Sequence, residues 1–282
     1  MAMGRCVLVG YDGSNESEAA LRWAVEEARL RGLPLKVLHA WRWPYPADFV
    51  DYEGMARVKG VGERLLNHGV EIARRAAPAL VVWKCLMDGP AYAALMHEAQ
   101  DAELAVVGSH GQGELPVGST ALRLPARSTR PVVVVRSTGT EHGRVVAGVD
   151  GSPGGEAALA FAFQQAELRG WELRAVHGCW EPSAVPESDL ALFAEEEKLR
   201  QVSETRLEQA VEPWRIRYPG VRASASVILT PPREALFEVA READLLVVGT
   251  RGTGGLDPLL MGATSGAMLQ HAPCTVGIVP GG

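Results

Sequence analysis

Short apolar runs alternate with longer stretches of helical periodicity along the whole chain. The run 104–107 has the length and composition of a buried strand, whereas Ala20, Ala24 and Ala28 recur at the spacing of one helix face. This alternation predicts an α/β fold in which helices cover both faces of a mostly parallel sheet. In the first half the predicted strands are 6–10, 35–40, 80–86, 104–107 and 132–135, and the predicted helices are 16–31, 53–76, 90–100 and 119–127.

The second half of the chain repeats the first. The segment Val7-Leu-Val-Gly-Tyr-Asp-Gly-Ser14 returns 138 residues later as Val145-Val-Ala-Gly-Val-Asp-Gly-Ser152, and Leu104-Ala-Val-Val-Gly-Ser109 returns 141 residues later as Leu245-Leu-Val-Val-Gly-Thr250. Repeated landmarks in one order indicate a duplicated domain. We therefore expect two tandem doubly wound, Rossmann-like domains, 1–138 and 143–282, each with a five-stranded sheet. The second half has predicted strands 144–149, 172–177, 222–229, 245–248 and 275–279, and predicted helices 155–169, 187–212, 233–243 and 263–270.

The composition narrows the possible functions. Of the 282 residues 47% are hydrophobic, yet no apolar run approaches the ~20 residues that cross a membrane, and too few residues precede Cys6 for a signal peptide. Basic and acidic residues number 16 and 15 in residues 1–138, and 12 and 19 in the rest, which argues against nucleic-acid binding. The four cysteines stand far apart with no metal-ligand spacing. We expect a cytoplasmic protein with reduced thiols and no metal site.

Glycine-rich loops follow the first and fourth predicted strands of each half. Ligands of doubly wound sheets bind beyond the carboxyl ends of the strands, where the strand order reverses. The loops at 10–14 and 108–113, and their repeats at 148–152 and 249–255, occupy those places. Further glycines, Gly118 and Gly262, open the next predicted helix, whose free amides attract anions. The pattern outlines a phosphate site, and the alternative is a glycine-rich turn that only joins strand to helix.

The loops resemble those of the universal stress protein family. Neither a P-loop nor a correctly placed GxGxxG is present, whereas the family's nucleotide-binding pattern is G-2x-G-9x-G-[S/T]. The resemblance extends to the histidines His39 and His177, to Asp88-Gly-Pro90 and to His271-Ala-Pro-Cys-Thr-Val276, and it covers nearly the whole chain as two copies. It implies an adenine nucleotide alpha hydrolase-like fold and binding of ATP or another adenine nucleotide, with Mg²⁺ left open.

The resemblance also implies which residues contact the nucleotide. In the first copy these are Asp12 and Ala40 beside the adenine, Gly108, His110 and Gly111 along ribose and phosphates, and Gly118, Ser119 and Thr120 at the phosphate tail. In the second copy they are Asp150, Gly178, Gly249, Arg251, Gly252, Gly262, Ala263 and Thr264, with Ser265 as a further hydroxyl. No catalytic residue is expected.

Both copies depart from the family pattern. The first has six residues, 112–117, where nine are expected, a loss of up to ~10 Å of reach, and Pro125 is expected to interrupt the following helix. The second keeps nine residues, but Ala263 replaces a hydroxyl that Thr264 or Ser265 must then supply. Arg251 adds a permanent cation where the first copy has a histidine. The second copy is therefore expected to be the better nucleotide site.

Plainer interpretations of these residues remain open. Asp12 and Asp150 can cap a turn or a helix, His39 and His177 can be buried strand-end residues, and Arg251 can be an exposed loop cation.

The expected function is a stress-response module that senses a nucleotide or binds an unknown protein partner. The alternatives are a nucleotide-free interaction protein with degenerate sites, and a weak ATPase with slow incidental hydrolysis. Family dimers pair through the final strand, so the apolar runs 132–135 and 275–279 predict an intrachain pseudo-dimer, with a homodimer also open.

Overall fold

The computed structural model describes residues 5–46, 51–110, 118–136, 142–179, 190–252 and 261–281, without the side chains of 190–196 and 199. The chain divides into two units, Met1–Ser137 and Thr138–Gly282. No helix among the described residues is long and apolar enough to span a membrane.

The first unit is a parallel five-stranded sheet with helices between successive strands. Its strands run in the order β3-β2-β1-β4-β5, so the chain moves outward from β1 to β3 and then returns to the other side of β1. This reversal between β1 and β4 is where doubly wound sheets bind ligands. The elements are β1 (Val7–Gly10), α1 (Asn15–Arg31), β2 (Leu35–Trp41), α2 (Tyr52–Ala76), β3 (Val82–Asp88), α3 (Ala91–Ala99), β4 (Leu104–Gly108), α4 (Ser119–Arg127) and β5 (Val132–Val135).

The second unit repeats this topology. Its strands run in the order β8-β7-β6-β9-β10, again all parallel, with the reversal between β6 and β9. The elements are β6 (Arg144–Gly148), α5 (Pro153–Arg169), β7 (Glu172–Gly178), α6 (Leu190–Arg217), β8 (Ala223–Ile228), α7 (Pro232–Ala240), β9 (Leu245–Gly249), α8 (Ala263–His271) and β10 (Thr275–Val279). The predicted fold class is confirmed in both units.

The first helix of each unit has its ends defined by local sequence. Ser14 caps α1 by accepting a hydrogen bond from the amide of Ser17, and Ser152 caps α5 in the same way. Both helices stop at a glycine in the left-handed conformation, Gly32 with φ 64° and Gly170 with φ 67°. Each cap directly follows the loop after the first strand, so the loop is anchored to the start of the helix.

The predicted bounds of β3 and α6 are wrong. Strand β3 covers Val82–Asp88 rather than 80–86, because pairing with Leu35–Trp41 of β2 determines where it starts and stops. Helix α6 continues through Pro213 to Arg217, since stacking of the Trp214 and Tyr218 rings on Phe163 compensates for the missing amide bond.

Pro125 does not interrupt α4, contrary to expectation. The helix continues to Arg127, and both Leu124 and Pro125 are buried. The proline stands in the last turn, where it removes a single amide hydrogen bond and only two residues follow. Burial of this turn outweighs that loss.

Candidate functional site

A pocket of about 340 Å³ opens at the carboxyl ends of β1, β2 and β4 in the first unit. It lies at the reversal of strand order, between the loop after β1 and the start of α4. Seven of the eight residues predicted for this copy line it: Asp12, Ala40, Gly108, His110, Gly118, Ser119 and Thr120. The eighth, Gly111, lies outside the described residues.

A second pocket of about 340 Å³ occupies the equivalent place in the second unit. All the residues predicted for that copy line it: Asp150, Gly178, Gly249, Arg251, Gly252, Gly262, Ala263, Thr264 and Ser265. Both volumes fall in the range of small-molecule sites. The structure thus brings the predicted residues that it describes together around one cavity in each unit.

The apolar walls of both pockets were not predicted from the sequence. Leu38, Leu95 and Val107 line the first pocket, and Val176, Leu236 and Val248 stand at the same places in the second. The motif Asp88-Gly-Pro90 located the helix that carries Leu95 but did not show which face of it stays uncovered. Such walls suit a flat apolar ring, whereas the glycines and hydroxyls at the other side suit a polar group.

Asp12 and Asp150 organise the turn after the first strand of their units. Asp12 Oδ1 accepts hydrogen bonds from the amide of Ser14 at 3.0 Å and from its hydroxyl at 2.5 Å. Asp150 Oδ1 accepts the same two bonds from Ser152, also at 3.0 and 2.5 Å. The aspartates therefore cap the turn, as the plainer interpretation proposed, and they also line the pockets.

Each of the histidines at the ends of β2 and β7 forms a hydrogen bond with the backbone of the turn after the first strand of its own unit. His39 Nδ1 lies 2.8 Å from the carbonyl oxygen of Tyr11, and His177 Nδ1 lies 2.7 Å from that of Val149. A carbonyl oxygen can only accept, so Nδ1 donates in both rings. Both rings also line the pockets. Burial raises the pKa of Tyr11, and the charges of Glu18 and Asp12 raise it further, so this phenol stays neutral.

The helices that begin at the pockets have N-termini without side-chain caps. Gly118 precedes α4 and Gly262 precedes α8, and a glycine has no side chain with which to cap the first-turn amides. Neither first turn carries an acidic residue, whereas the first turn of α1 has two. Free amides and the positive end of the helix dipole attract an anion. Both pockets therefore have an anion-attracting end.

Two glycines of the second pocket leave no space for a side chain. A Cβ on Gly252 would collide with Asp150 Oδ2, and a Cβ on Gly249 would lie 2.6 Å from the backbone of Gly154. A side chain at Gly252 would also occupy space beside the aspartate. The backbone conformation is ordinary at both glycines, so space rather than φ accounts for them.

The hydroxyls differ between the two pockets. Ser265 is buried, and its hydroxyl donates to the carbonyl oxygen of Gly249 at 2.6 Å, so its proton is already used. Thr264 is half-buried on the pocket wall, and Ser119 of the first unit is exposed. Thr264 is therefore the better placed of the two hydroxyls that could replace the one missing at Ala263.

The cations differ as well. Arg251 is exposed at the rim of the second pocket. His110 takes its place in the first, with Nδ1 2.8 Å from the hydroxyl of Ser109. The planar guanidinium of an arginine can donate two parallel hydrogen bonds to a phosphate, which an imidazole cannot. Among the described residues, no group of three or more His, Cys, Asp or Glu could hold a metal ion.

Comparison with known proteins identifies the family. The model of the Universal stress protein family matches residues 3–136 and again residues 141–280. A universal stress protein of Mycobacterium tuberculosis is 34% identical over 94% of each chain, and one of Mycolicibacterium smegmatis is 32% identical over 97% of this chain and 96% of its own. The chain belongs to the universal stress protein family, as its motifs indicated.

A solved structure shows the same fold. The crystal structure of a universal stress protein from Archaeoglobus fulgidus covers 98% of this chain and 96% of its own, with a TM-score of 0.70 and 16% identity. A half-length universal stress protein solved in complex with cAMP also matches, at 26% identity over 48% of this chain and a TM-score of 0.39.

Proposed function

We propose that the second unit binds an adenine nucleotide, and that it does so more tightly than the first. The observation that carries the proposal is the convergence of Asp150, Arg251 and the uncapped start of α8 on one pocket with apolar walls. The nucleotide-binding pattern to which these residues belong favours an adenine nucleotide as the ligand.

The two ends of the pocket suit the two ends of a nucleotide. Val176, Leu236 and Val248 provide apolar surface for a base, and burial of such a ring is favourable without any specific polar contact. At the other end, the amides of the first turn of α8 and the guanidinium of Arg251 provide donors for phosphate oxygens. An adenine nucleotide carries both features.

The expected difference in nucleotide affinity between the two units comes mainly from charge. A hydrogen bond from Arg251 to a phosphate is worth ~1.5–3 kcal/mol, or about 10- to 150-fold in affinity. The hydroxyl missing at Ala263 is a neutral donor, worth ~0.5–1.5 kcal/mol. The affinity gained from Arg251 exceeds the affinity lost with the hydroxyl at Ala263, which supports the second unit as the stronger site.

We propose further that binding is the activity, rather than turnover. Efficient phosphoryl transfer needs a positioned base and a set of metal-binding carboxylates, and the described lining of each pocket includes a single aspartate, which already accepts bonds from a serine. A bound nucleotide adds contacts to the glycine loop and so alters a surface that a protein partner can recognise. Steady-state phosphate release above ~1 per second would contradict this proposal.

Calorimetric titration tests the site directly. ATP and adenosine are titrated into the full chain, into Arg251→Gln and into the matched variant His110→Gln. We expect Arg251→Gln to weaken ATP binding about 10- to 150-fold and to leave adenosine binding nearly unchanged, because in the proposed complex the guanidinium contacts phosphate oxygens rather than the nucleoside. The variant His110→Gln should leave the tighter site intact. Equal ATP affinity in Arg251→Gln and the unaltered chain would refute the proposed role of the arginine.

A further inference from the structure

A polar groove lies at the amino ends of the strands of the second unit, away from the nucleotide pocket. It has a volume of about 470 Å³. The residues around it come from the starts of β6, β7 and β8, from the residue before β8 and from the segment between α7 and β9: Arg144, Glu172, Leu173, Arg174, Arg222, Ala223, Ser224 and Glu242. Three arginines and two glutamates thus share one open cavity.

The two glutamates are already paired. Glu242 lies 3.1 Å from Arg144, and Glu172 lies 3.0 Å from Arg222 and 3.8 Å from Arg144. Arg174 is half-buried and donates from Nε to the hydroxyl of Ser226 at 3.3 Å. In the part of the chain that the structure describes, Arg174 forms no ion pair.

The first unit has a lysine at the position equivalent to Arg174, and that lysine is paired with a carboxylate. Lys36 occupies the position of Arg174: it pairs with Leu8 of β1, as Arg174 pairs with Val146 of β6. The Lys36 ammonium is almost fully buried and lies 2.8 Å from the carboxylate of Glu98 on α3. The first copy therefore neutralises this cation with an acid of its own.

The second copy keeps the cation and lacks the acid. Leu95 and Leu236 line equivalent walls of the two pockets, so the residue three further along α7, Val239, corresponds to Glu98. Val239 is buried and apolar. A half-buried guanidinium without a counter-ion is unfavourable, and an external anion would remove the penalty.

The second copy also has room for that anion. Trp83 of β3 pairs with Lys36, and Ser224 of β8 stands at the same place beside Arg174. Replacement of an indole ring by a hydroxymethyl group opens the cavity next to the guanidinium. The groove therefore lies where the first unit is filled by its own side chains.

We propose that this groove binds a small free monocarboxylate, held by the guanidinium of Arg174. The planar fork of arginine matches a carboxylate with two parallel hydrogen bonds. One uncompensated positive charge suits one negative charge, and the paired glutamates at the rim disfavour a dianion such as hydrogen phosphate. The ligand would supply the charge that Glu98 supplies in the first unit.

Titration of propionate and benzoate into the full chain at constant ionic strength tests the proposal. We expect one saturable site per chain with a dissociation constant of roughly 10 mM or tighter, and phosphate at least tenfold weaker. Arg174→Gln should weaken binding at least tenfold. The exposed Arg241→Gln, which removes a charge just after α7 without touching the groove, should leave it unchanged.

A second variant tests the site without removing the arginine. Val239→Glu places a carboxylate where Glu98 stands in the first unit, so it should abolish propionate binding while the chain remains folded. An acetylated and amidated peptide with a single glutamate should bind at least tenfold more weakly than propionate. Three results would each overturn the proposal: no saturation in the unaltered chain, undiminished binding in Arg174→Gln, or equal binding of phosphate or the peptide.

Discussion

The buried ion pair of the first unit leads to the sharpest stability prediction. Lys36 Nζ lies 2.8 Å from Glu98 Oε2, and the two side chains are 4% and 17% exposed. Burial, the largest single influence, lowers the pKa of Lys36, but the hydrogen bond to Glu98 and the nearby acidic groups raise it more, so the net shift is upward. The ammonium is therefore charged in the folded protein and depends on Glu98.

Removal of the acid alone should be far more damaging than removal of both partners. Glu98→Leu leaves the ammonium buried without a counter-ion, at a cost of ~3–5 kcal/mol. The double variant Lys36→Met/Glu98→Leu replaces the pair with apolar groups of similar volume, and we expect it to match the unaltered chain within about 1 kcal/mol or to exceed it. The stability of Lys36→Met should lie between those of Glu98→Leu and the double variant, because the carboxylate that it leaves unpaired, Glu98, is nearer to solvent than Lys36.

Hydrogen exchange is the appropriate assay, because a chain with two units need not unfold in a single step. A loss of 3–5 kcal/mol raises the exchange rates of amides in β1 and β2 by roughly 150- to 5,000-fold. Amides of β6 and β7 in the second unit provide an internal control.

Two results would refute this reasoning about the pair. One is acceleration of less than about tenfold in Glu98→Leu, which would mean that the ammonium finds water or another partner. The other is a double variant as unstable as Glu98→Leu, which would assign the loss to packing rather than to the stranded charge.

Three further predictions concern the first unit. Gly69→Ala should cost ~1–3 kcal/mol, because its Cβ would lie 2.7 Å from the ring of Tyr11, and Tyr11→Val should restore the loss in denaturant titrations. Ser14→Ala should cost ~0.5–2 kcal/mol by uncapping α1, measured in the same way. Raising the pH should lower the melting temperature of this unit because of Cys85. Burial, followed by the charge of Glu98, raises the pKa of the Cys85 thiol to about 11. Above about pH 8.5 the unfolded chain therefore releases a proton that the folded chain keeps, and this favours unfolding.

Each of these predictions has a control. Failure of Tyr11→Val to rescue Gly69→Ala would show that the ring is not the obstacle. Ser152→Ala should match Ser14→Ala, since the caps are alike, and a large difference would mean that more than a cap is lost. Cys85→Ala should reduce the decline of the melting temperature between about pH 8.5 and 11. An unchanged decline would exclude this thiol as the source of the alkaline destabilisation.

Local signals predicted much of the fold. The bounds of α1 follow from Ser14 and Gly32, which are adjacent in sequence to the helix that they cap and end. The start of β3 and the end of α6 depend on partners distant in the chain, namely β2 for the strand and Phe163 for the helix. No periodicity within a segment records such partners, so those bounds were wrong.

The candidate site also has one part that could be predicted from the sequence and one part that could not. The glycines and aspartates follow strands directly, and parallel strands bring their carboxyl ends to one edge, so their meeting could be predicted. Two features could not be predicted: the apolar wall at Leu236, and the lack of an ion pair at Arg174 in the described part of the chain. Each depends on which neighbouring side chains pack against it. That information lies in the packing between elements.

Nucleotide released from freshly purified protein tests the central claim most directly. The chain is heat-denatured, and the released nucleotide is identified and counted per chain by chromatography and mass spectrometry. We predict about one adenine nucleotide per chain, and none from Gly252→Val, whose side chain would collide with Asp150 in the second pocket. Absence of nucleotide from the unaltered chain, together with no rebinding of added ATP, would contradict the proposed function.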